Sequence, residues 1–211
     1  MEGDWVFKKL TTLVLGNTLA SLGIAMVINS GLGCFSVTSA NLAISNFFGI
    51  SLGTAGMLVE LIILLIATYR GEGIGLTAVC NAFYGSYAID FFRMLLPSHI
   101  LMVFGLLIIP FGWALMGKAG LGDTGCNVLM NSILKQTNKS IGFVRGVQEC
   151  LFMLIGFLGA RQYVTWFTIA LSFGLGYLLQ FVYRLIKYDP TKINHKFLIQ
   201  TSGGKTCLKE N

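Results

Sequence analysis

Long apolar runs, separated by short polar or glycine-containing segments, extend through the whole chain. Six runs are each about 20 residues long, which is the length that an α-helix needs to cross roughly 30 Å of hydrocarbon. They cover residues 10–29, 52–69, 74–96, 100–117, 141–159 and 162–186. The pattern predicts an all-α polytopic membrane protein with six transmembrane helices, in which residues 1–211 form a single membrane domain.

Two shorter segments between these runs have a different pattern. The segments CFSVTSANLAISNFF, residues 34–48, and DTGCNVLMNSILKQT, residues 123–137, mix apolar with polar positions. A helix of 15 residues is only about 22 Å long, which is less than the thickness of the hydrocarbon core. We therefore expect a re-entrant or interfacial half-helix in each place. In the alternative, both segments span the membrane and each half of the chain has four crossings.

The chain aligns with itself, without gaps, at a constant shift of 89 residues. Glu60 falls on Glu149, and these are the glutamates that lie inside apolar runs. Six glycines also fall on glycines: Gly16, Gly23, Gly31, Gly33, Gly53 and Gly85 on Gly105, Gly112, Gly120, Gly122, Gly142 and Gly174. The match predicts an internal duplication, with repeat one at residues 10–96, repeat two at residues 100–186, and a flexible cytoplasmic tail at residues 188–211.

Three crossings per half place the second copy upside down relative to the first, because an odd number of spans brings the chain out on the other side. When the N-terminus is in the cytoplasm, all of the 15 Lys and Arg residues except Arg93 and Arg161 fall on the cytoplasmic side. Residues 31–51 carry no charge, whereas the matched residues 120–140 carry three. We therefore predict two inverted three-helix repeats, each with a short half-helix, and both termini in the cytoplasm.

The two glutamates are the residues of chemical interest. A carboxylate inside a bilayer costs a few kcal/mol on insertion scales, and such residues usually lie on ion or substrate paths. Gly53 precedes Glu60 by seven residues, and Gly142 precedes Glu149 by seven. Seven steps of about 100° return to nearly the same helix face, and small residues mark helix contacts in membranes. Both acids should therefore point into the bundle and form a proton- or cation-responsive site near the midplane.

Each of these features also has a structural interpretation. A protonated glutamate can simply lock two helices together, and Arg145, one turn before Glu149, can pair with it at the i,i+4 spacing. Gly56 stands at the corresponding place in the first half, so the first acid has no such local partner. The two GLG turns, residues 31–33 and 120–122, either present backbone amides to an anion or end a helix as glycine C-caps.

Polar side chains near the predicted half-helices and in the third helix could line a path to the acids: Asn41, Asn81, Asn127 and Asn131. No catalytic motif, metal-ligand set or cofactor motif is expected. His99 and His195 lie outside the apolar runs, and the five cysteines form no CxxC pair. The protein is therefore not expected to be an enzyme.

Composition agrees with a membrane protein and not with a soluble one. The mean hydropathy is +0.74 and only 11% of residues are charged, against roughly 25% in soluble domains. The formal charge of +6 does not indicate nucleic acid binding, because the basic residues lie at helix ends and in the tail. The expected partners are the lipid bilayer, an unknown small solute or ion with proton or cation coupling, and further copies of the chain in a homo-oligomer.

Three features of the sequence form a combined pattern: the GLG after the first helix of each half, SLGTAGMLVELIILL and GIGLTAVCNAFYGSYAIDFF. Together they resemble the bacterial YczE/YyaS/YitT group of integral membrane proteins. The usual GLGxSPWD of that group is only partly kept, as GLGCFSVT and GLGDTGCN. The resemblance covers residues 12 to 187 and implies a multi-pass protein of the bacterial cytoplasmic (inner) membrane, without a catalytic motif to carry over.

Two functions fit this pattern. The leading hypothesis is a small secondary transporter or channel-like carrier, with its site between the inverted repeats. Glu60 would be the coupling or binding acid and Glu149 its symmetry mate, and rocking of one repeat against the other would exchange two states. The alternative is a non-transporting accessory or regulatory membrane protein that binds a partner.

Overall fold

The structure is a computed structural model that describes residues 2–96, 102–137, 139, 141–185 and 198–199. The expected all-α fold is confirmed for this part of the chain. The helices are α1 (Glu2–Asn29), α2 (Ser36–Phe48), α3 (Leu52–Tyr69), α4 (Leu76–Cys80), α5 (Ser86–Leu95), α6 (Met102–Ala119), α7 (Gly125–Gln136), α8 (Ile141–Gly159) and α9 (Trp166–Leu185). A π-helical segment, Asn81–Gly85, joins α4 to α5, and a 3-10 turn, Arg161–Tyr163, precedes α9.

Each of the six apolar runs coincides with a helix, or with the continuous α4–π–α5 element. Among the described residues, three helical stretches are long and apolar enough to cross a membrane: Val6–Asn29, Leu52–Tyr69 and Met102–Ala119. These stretches support a membrane protein. The helices α8 and α9 contain 19 and 20 residues, which is about 30 Å at 1.5 Å per residue.

The two short segments also form helices, and both are short. The helix α2 has 13 residues and α7 has 12, so each is only about 18–20 Å long. The helix α2 is capped at its C-terminus by Gly49, whose φ of 65° lies in the left-handed region that favours glycine. Neither helix can cross roughly 30 Å of hydrocarbon on its own.

Helix boundaries recur at the spacing of the sequence repeat. The helix α7 begins at Gly125, 89 residues after Ser36, where α2 begins. The helix α8 begins at Ile141, 89 residues after Leu52, where α3 begins. The order of elements is therefore the same in both halves of the chain.

The first helices of the two halves pack directly on each other, backbone against backbone. A Cβ atom placed on Gly16 would lie 2.7 Å from the carbonyl oxygen of Gly112, and one placed on Gly23 would lie 2.8 Å from that of Gly105. The residue numbers rise along α1 as they fall along α6, so the two helices run antiparallel. Glycine is required here because any side chain would separate the helices.

The short helices pack across the halves. The helix α2 lies against α8, where Ser39 contacts Gly156 and Ala43 contacts Gly159. The helix α7 lies against α3, and α5 and α9 pack on α1 and α6 respectively. Each half therefore supplies the short helix that covers the acid-bearing helix of the other.

Both GLG turns end a helix. Gly31 (φ 71°) donates its N–H to the carbonyl of Ile28, and Gly120 (φ 65°) donates to that of Gly117. The glycine C-cap interpretation is thus confirmed. The carbonyl of Leu32, in the middle of the first GLG turn, accepts a hydrogen bond from the hydroxyl of Thr165, just before α9. The carbonyl of Leu121, in the middle of the second turn, accepts one from the backbone N–H of Thr77 in α4.

Most of the predicted tail, residues 188–211, lies outside the described residues. The exception is the two-residue strand β2 (Leu198–Ile199), which pairs antiparallel with β1 (Ile74–Gly75). Because β1 immediately precedes α4, this pairing places one point of the tail beside the loop between α3 and α4.

Candidate functional site

Glu60 lies in the middle of α3 and is buried, with only 6% of its surface exposed. Its Oε1 atom accepts a hydrogen bond from the backbone N–H of Gly125 at 2.8 Å. The same oxygen accepts a second one from Nδ2 of Asn81 at 3.2 Å. The acid therefore points into the bundle, where it joins α3 to α7 and to the π segment.

Glu149 has the same burial, 6% exposed, at the corresponding position of α8. Its Oε2 atom accepts a hydrogen bond from the hydroxyl of Ser36. Its Oε1 atom forms an ion pair with Nη2 of Arg145 at 2.8 Å. The i,i+4 pair expected from the sequence is therefore present.

The partners of the two acids are related in the same way as the acids themselves. Ser36 and Gly125 are the first residues of α2 and α7 and are 89 residues apart, as Glu60 and Glu149 are. Each carboxylate thus lies at the N-terminus of the short helix of the other half. A helix N-terminus has unpaired N–H groups and a partial positive charge, which stabilise a carboxylate.

Glycine at the start of α7 makes the Glu60 contact possible. A Cβ atom at position 125 would lie 2.7 Å from Oε1 and 2.8 Å from the carboxyl carbon of Glu60. The backbone N–H can be reached only because Gly125 has no side chain. In the other half, Ser36 reaches Glu149 with its hydroxyl group instead.

The two acids differ in how their charge is balanced. Arg145 also donates from Nη1 to Oδ1 of Asn127 at 3.3 Å, and Asn127 donates to Oδ1 of Asp123 at 3.2 Å. Glu149 is therefore part of a charged network. Glu60 forms no ion pair with any residue that the structure describes.

The four asparagines predicted to line the site lie in different surroundings. Asn81 contacts Glu60 directly, and Asn127 reaches Glu149 through Arg145. Oδ1 of Asn41 is buried and has no hydrogen-bond partner among the described residues. Asn131, one turn after Asn127 in α7, is half-buried, and its side chain makes no hydrogen bond within the described part of the chain.

The π segment that carries Asn81 is held against α1. Ser21 donates its hydroxyl to the carbonyl of Gly85 at 3.0 Å, and Asn17, which is 1% exposed, lies beside the same glycine. Single-turn π segments occur frequently at functional sites, since they redirect side chains within a helix. Sequence reasoning missed this segment and the roles of Ser36 and Gly125, although the shift of 89 residues relates those two partners.

Cys126 follows Gly125 and lies in the field of both acids. Burial raises the pKa of the Cys126 thiol, the negative charges of Glu60 and Glu149 act in the same direction, and Arg145 opposes them. The side chain of Gln148 donates to the carbonyl of Cys126 at 3.3 Å. The start of α7 is thus the place where the surroundings of the two acids meet.

No group of three or more His, Cys, Asp or Glu side chains that could hold a metal ion occurs among the described residues.

Comparison with known proteins places the chain in a family. Neither the curated proteins nor the solved structures contain a match to it. One family model matches it over residues 7–101 and 96–204, so that the two matched segments meet where the halves of the chain join. The chain therefore belongs to DUF6198, a family of unknown function.

Proposed function

We propose that the protein is a small secondary transporter or channel-like carrier, with its site between two inverted repeats. The observation that carries this proposal is the reciprocal contact of Glu60 with Gly125 and of Glu149 with Ser36. In broken-helix transporters, the termini of half-helices point at the substrate and ion sites, which lie near the midplane at the repeat interface. The ligand is an unknown small solute or ion, and the proposed function involves no enzymatic step.

The proposed topology has six spans, namely α1, α3, the α4–π–α5 element, α6, α8 and α9. Support comes from the antiparallel packing of α1 on α6 and from the exchanged short helices. Lys135, at the end of α7, forms a salt bridge with Glu72 at 2.8 Å, which joins two segments assigned to the cytoplasmic face. Asn46, which corresponds to Lys135 in the repeat, donates to the carbonyl of Gly159 at the opposite face.

The cellular location is part of the proposal. The resemblance to the YczE/YyaS/YitT group favours a bacterial cytoplasmic (inner) membrane, and the positive-inside rule favours cytoplasmic termini. Membrane lipid is then the partner of the exposed apolar faces, and further copies of the chain in a homo-oligomer are partners of the same kind.

In the arrangement described, both acids are shielded from water. Release of α7 from Glu60 would open a path from one face, and release of α2 from Glu149 would open a path from the other. Alternating access then consists of exchanging which short helix is docked on its acid, by rocking one half against the other. The side-chain amide of Asn81, together with Asn41, Asn127 and Asn131, would line the path.

Proteoliposomes test this function directly. The purified full-length protein is reconstituted, and flux of a broad panel of solutes and ions is followed through internal pH and membrane current. Glu60→Gln should abolish the flux while leaving the thermal stability in detergent within a few degrees. Lys118→Gln is the control, because Lys118 is exposed in the last turn of α6 and pairs with neither acid, so its substitution should leave flux unchanged. Equal flux in both variants, or none in the unaltered protein, contradicts the proposal.

A non-transporting accessory protein is the second candidate, and one observation favours it. Two apolar grooves, of about 500 and 550 Å³, lie on outer helix faces, and neither is lined by Glu60 or Glu149. Binding on such outer faces suits a regulatory partner. In that case Glu60→Gln would leave the protein's effect intact, and truncation after residue 187 would remove it.

A further inference from the structure

The connection between α3 and α4 contacts the C-terminal end of α7. We term residues 70–77 the clamp segment. Lys135, in the last turn of α7, forms an ion pair with Glu72 at 2.8 Å, and the Glu72 side chain is only 13% exposed. Gln136 donates its side-chain amide to the carbonyl of Arg70 at 3.2 Å. The clamp segment therefore holds α7 at the end that is remote from the buried acids.

The same segment contacts the turn that precedes α7. A Cβ atom placed on Gly75 would lie 2.6 Å from Cα of Gly122, and one placed on Gly122 would lie 2.6 Å from Cα of Gly75. The backbone N–H of Thr77 donates to the carbonyl of Leu121 at 3.2 Å. This turn leads directly into the start of α7, where a backbone N–H binds Glu60. Movement of the clamp segment away from α7 would thus loosen both ends of the helix.

The strand β2 of the C-terminal tail pairs with the clamp segment. Ile74 lies opposite Ile199, and Gly75 lies opposite Leu198, in an antiparallel register. Gly75 therefore contacts the tail strand and the turn before α7 at the same time. A continuous series of contacts leads from the tail, through β1 and the second GLG turn, to the N-terminus of α7 and to Glu60.

The corresponding connection in the other half, residues 159–166, holds α2 in a similar way. The side-chain amide of Asn46 donates to the carbonyl of Gly159 at 3.2 Å. The backbone N–H of Cys34, just before α2, donates to the carbonyl of Tyr163 at 3.3 Å. Within the part of the chain that the structure describes, no strand pairs with residues 159–166. The strand pairing thus distinguishes the surroundings of α7 from those of α2.

A contact that exists only while α7 is docked shifts the equilibrium toward the docked state, because it stabilises one of two states and not the other. The pairing of β1 with β2 is such a contact, since it adds backbone hydrogen bonds to the segment that holds α7. An isolated pairing of two short strands is only marginally stable in water. The tail strand can therefore detach without unfolding of the helix bundle.

We propose that the tail strand β2 is an autoinhibitory strap. While it is paired with β1, it keeps the clamp segment on α7 and thereby keeps α7 docked on Glu60. When it detaches, α7 can leave Glu60 toward the face assigned to the cytoplasm. Release of α2 from Glu149 does not depend on the strap. The inference rests on the proposed carrier function, to which it adds the regulation of the Glu60 site by the tail.

Hydrogen–deuterium exchange of the purified protein in detergent tests the strap. Truncation after residue 197 removes β2, whereas truncation after residue 200 retains it and is the matched control. Relative to the full-length protein, we expect the amides of α7 to exchange at least about threefold faster in the first variant and at the same rate in the second. The amides of α2 should be unchanged in both. Equal exchange of α7 in all three proteins, or an equal acceleration of α2 and α7, overturns the inference.

A disulfide can fix the strap in place. In a background without native cysteines, Ile74→Cys/Ile199→Cys puts two thiols at opposite positions of the strand pair. Opposite Cα atoms in antiparallel strands are about 4.5–5.5 Å apart, which a disulfide can bridge. Oxidation should form this bond and abolish flux in proteoliposomes, and reduction should restore the flux, so the reduced protein is its own control. Failure of the bond to form, or an unchanged Glu60-dependent flux after it has formed, overturns the inference.

The two proposals fail in different ways. Exchange of α7 that depends on β2, without flux of any solute in proteoliposomes, sustains the hold of the strap on α7 and rejects the carrier function. Flux that depends on Glu60 and is the same after truncation at residue 197 and at residue 200 sustains the carrier function and rejects the strap.

Discussion

Gly125 and Glu60 are joined by a hydrogen bond of 2.8 Å from backbone N–H to carboxylate, although 65 residues separate them in the chain. The corresponding contact between Ser36 and Glu149 joins residues 113 positions apart. Each contact joins the N-terminus of a short helix to the acid-bearing helix of the other half. These two hydrogen bonds should therefore affect both the stability of the bundle and any movement of the short helices.

Substitution of Gly125 by Ala should break the hydrogen bond between Gly125 and Glu60. The added Cβ would lie 2.7 Å from Oε1 of Glu60 and would displace the carboxylate. We expect a loss of roughly 1–3 kcal/mol, the usual cost of leaving a buried polar group unsatisfied, measured by unfolding in detergent. Gly146→Ala is the control, because nothing lies within 4 Å of its Cβ position. Equal stability of the two variants would mean that Glu60 is not held by α7.

Substitution of Gly112 by Ala should separate α1 from α6. Its Cβ would lie 2.5 Å from the backbone nitrogen of Ala20 and 2.6 Å from the carbonyl oxygen of Gly16, and neither backbone atom can move aside easily. Overpacking of this kind costs roughly 1–3 kcal/mol. Gly174→Ala, at a helical position with open space, should instead be neutral or slightly stabilising. A thermal melt of both variants in detergent compares them, and equal melting temperatures would argue against the close packing.

Arg145 and Glu149 should be energetically coupled. Glu149→Gln and Arg145→Gln each remove one member of an ion pair whose carboxylate is buried and whose arginine side chain is 38% exposed. A double-mutant cycle should therefore give a coupling energy of roughly 0.5–3 kcal/mol, in the lower half of that range because water reaches the arginine. Additive losses in the unfolding free energy would show that the pair contributes nothing beyond its separate members.

Asn46 and Lys135 should be labelled from opposite sides of the membrane. They occupy corresponding positions near the ends of α2 and α7, and both are exposed. In a background without native cysteines, Asn46→Cys should react with an impermeant maleimide added outside intact cells. Lys135→Cys should react only after the cells are opened. Reaction of both from the same side would refute the inverted arrangement.

Cys34 should resist alkylation in the folded protein. It lies in the turn between α1 and α2 with 0% exposure, and burial raises the pKa of its thiol to about 12, while the positive charge of Arg93 acts in the opposite direction. Because the thiolate is the reactive form, roughly one thiol in 10⁴ is ionised at pH 8. Iodoacetamide followed by mass spectrometry should show labelling only after denaturation. Rapid labelling of the folded protein would mean that this turn opens.

Local patterns in the sequence predicted the helices well. The apolar runs 52–69 and 141–159 coincide with α3 and α8 at both ends, because a long apolar run with flanking polar or glycine residues marks a buried helix wherever it packs. The pair of Arg145 with Glu149 was also predictable, since residues four apart meet on any helix.

Other features of the site could not be predicted in this way. The π segment at Asn81 has no period of its own in the sequence, and its contact with α1, where Gly85 lies against Asn17, joins residues far apart in the chain. The partner of Glu60 is a glycine, one of 26 in the chain, and its backbone N–H carries no signal in its residue type. The roles of the asparagines could not be predicted either, because no local pattern distinguishes Asn81, which contacts an acid, from Asn131, which does not.

The sequence by itself determined which segments are helical, which are too short to span, and that two acids occupy corresponding positions in a duplicated chain. These properties depend on apolar length and on residue spacing, which act within one segment. Only the tertiary structure decided that each acid meets the N-terminus of the short helix of the other half, and that Asn81 is the asparagine that contacts Glu60. Those relationships arise from how the two halves pack, and packing brings together groups that no local pattern connects.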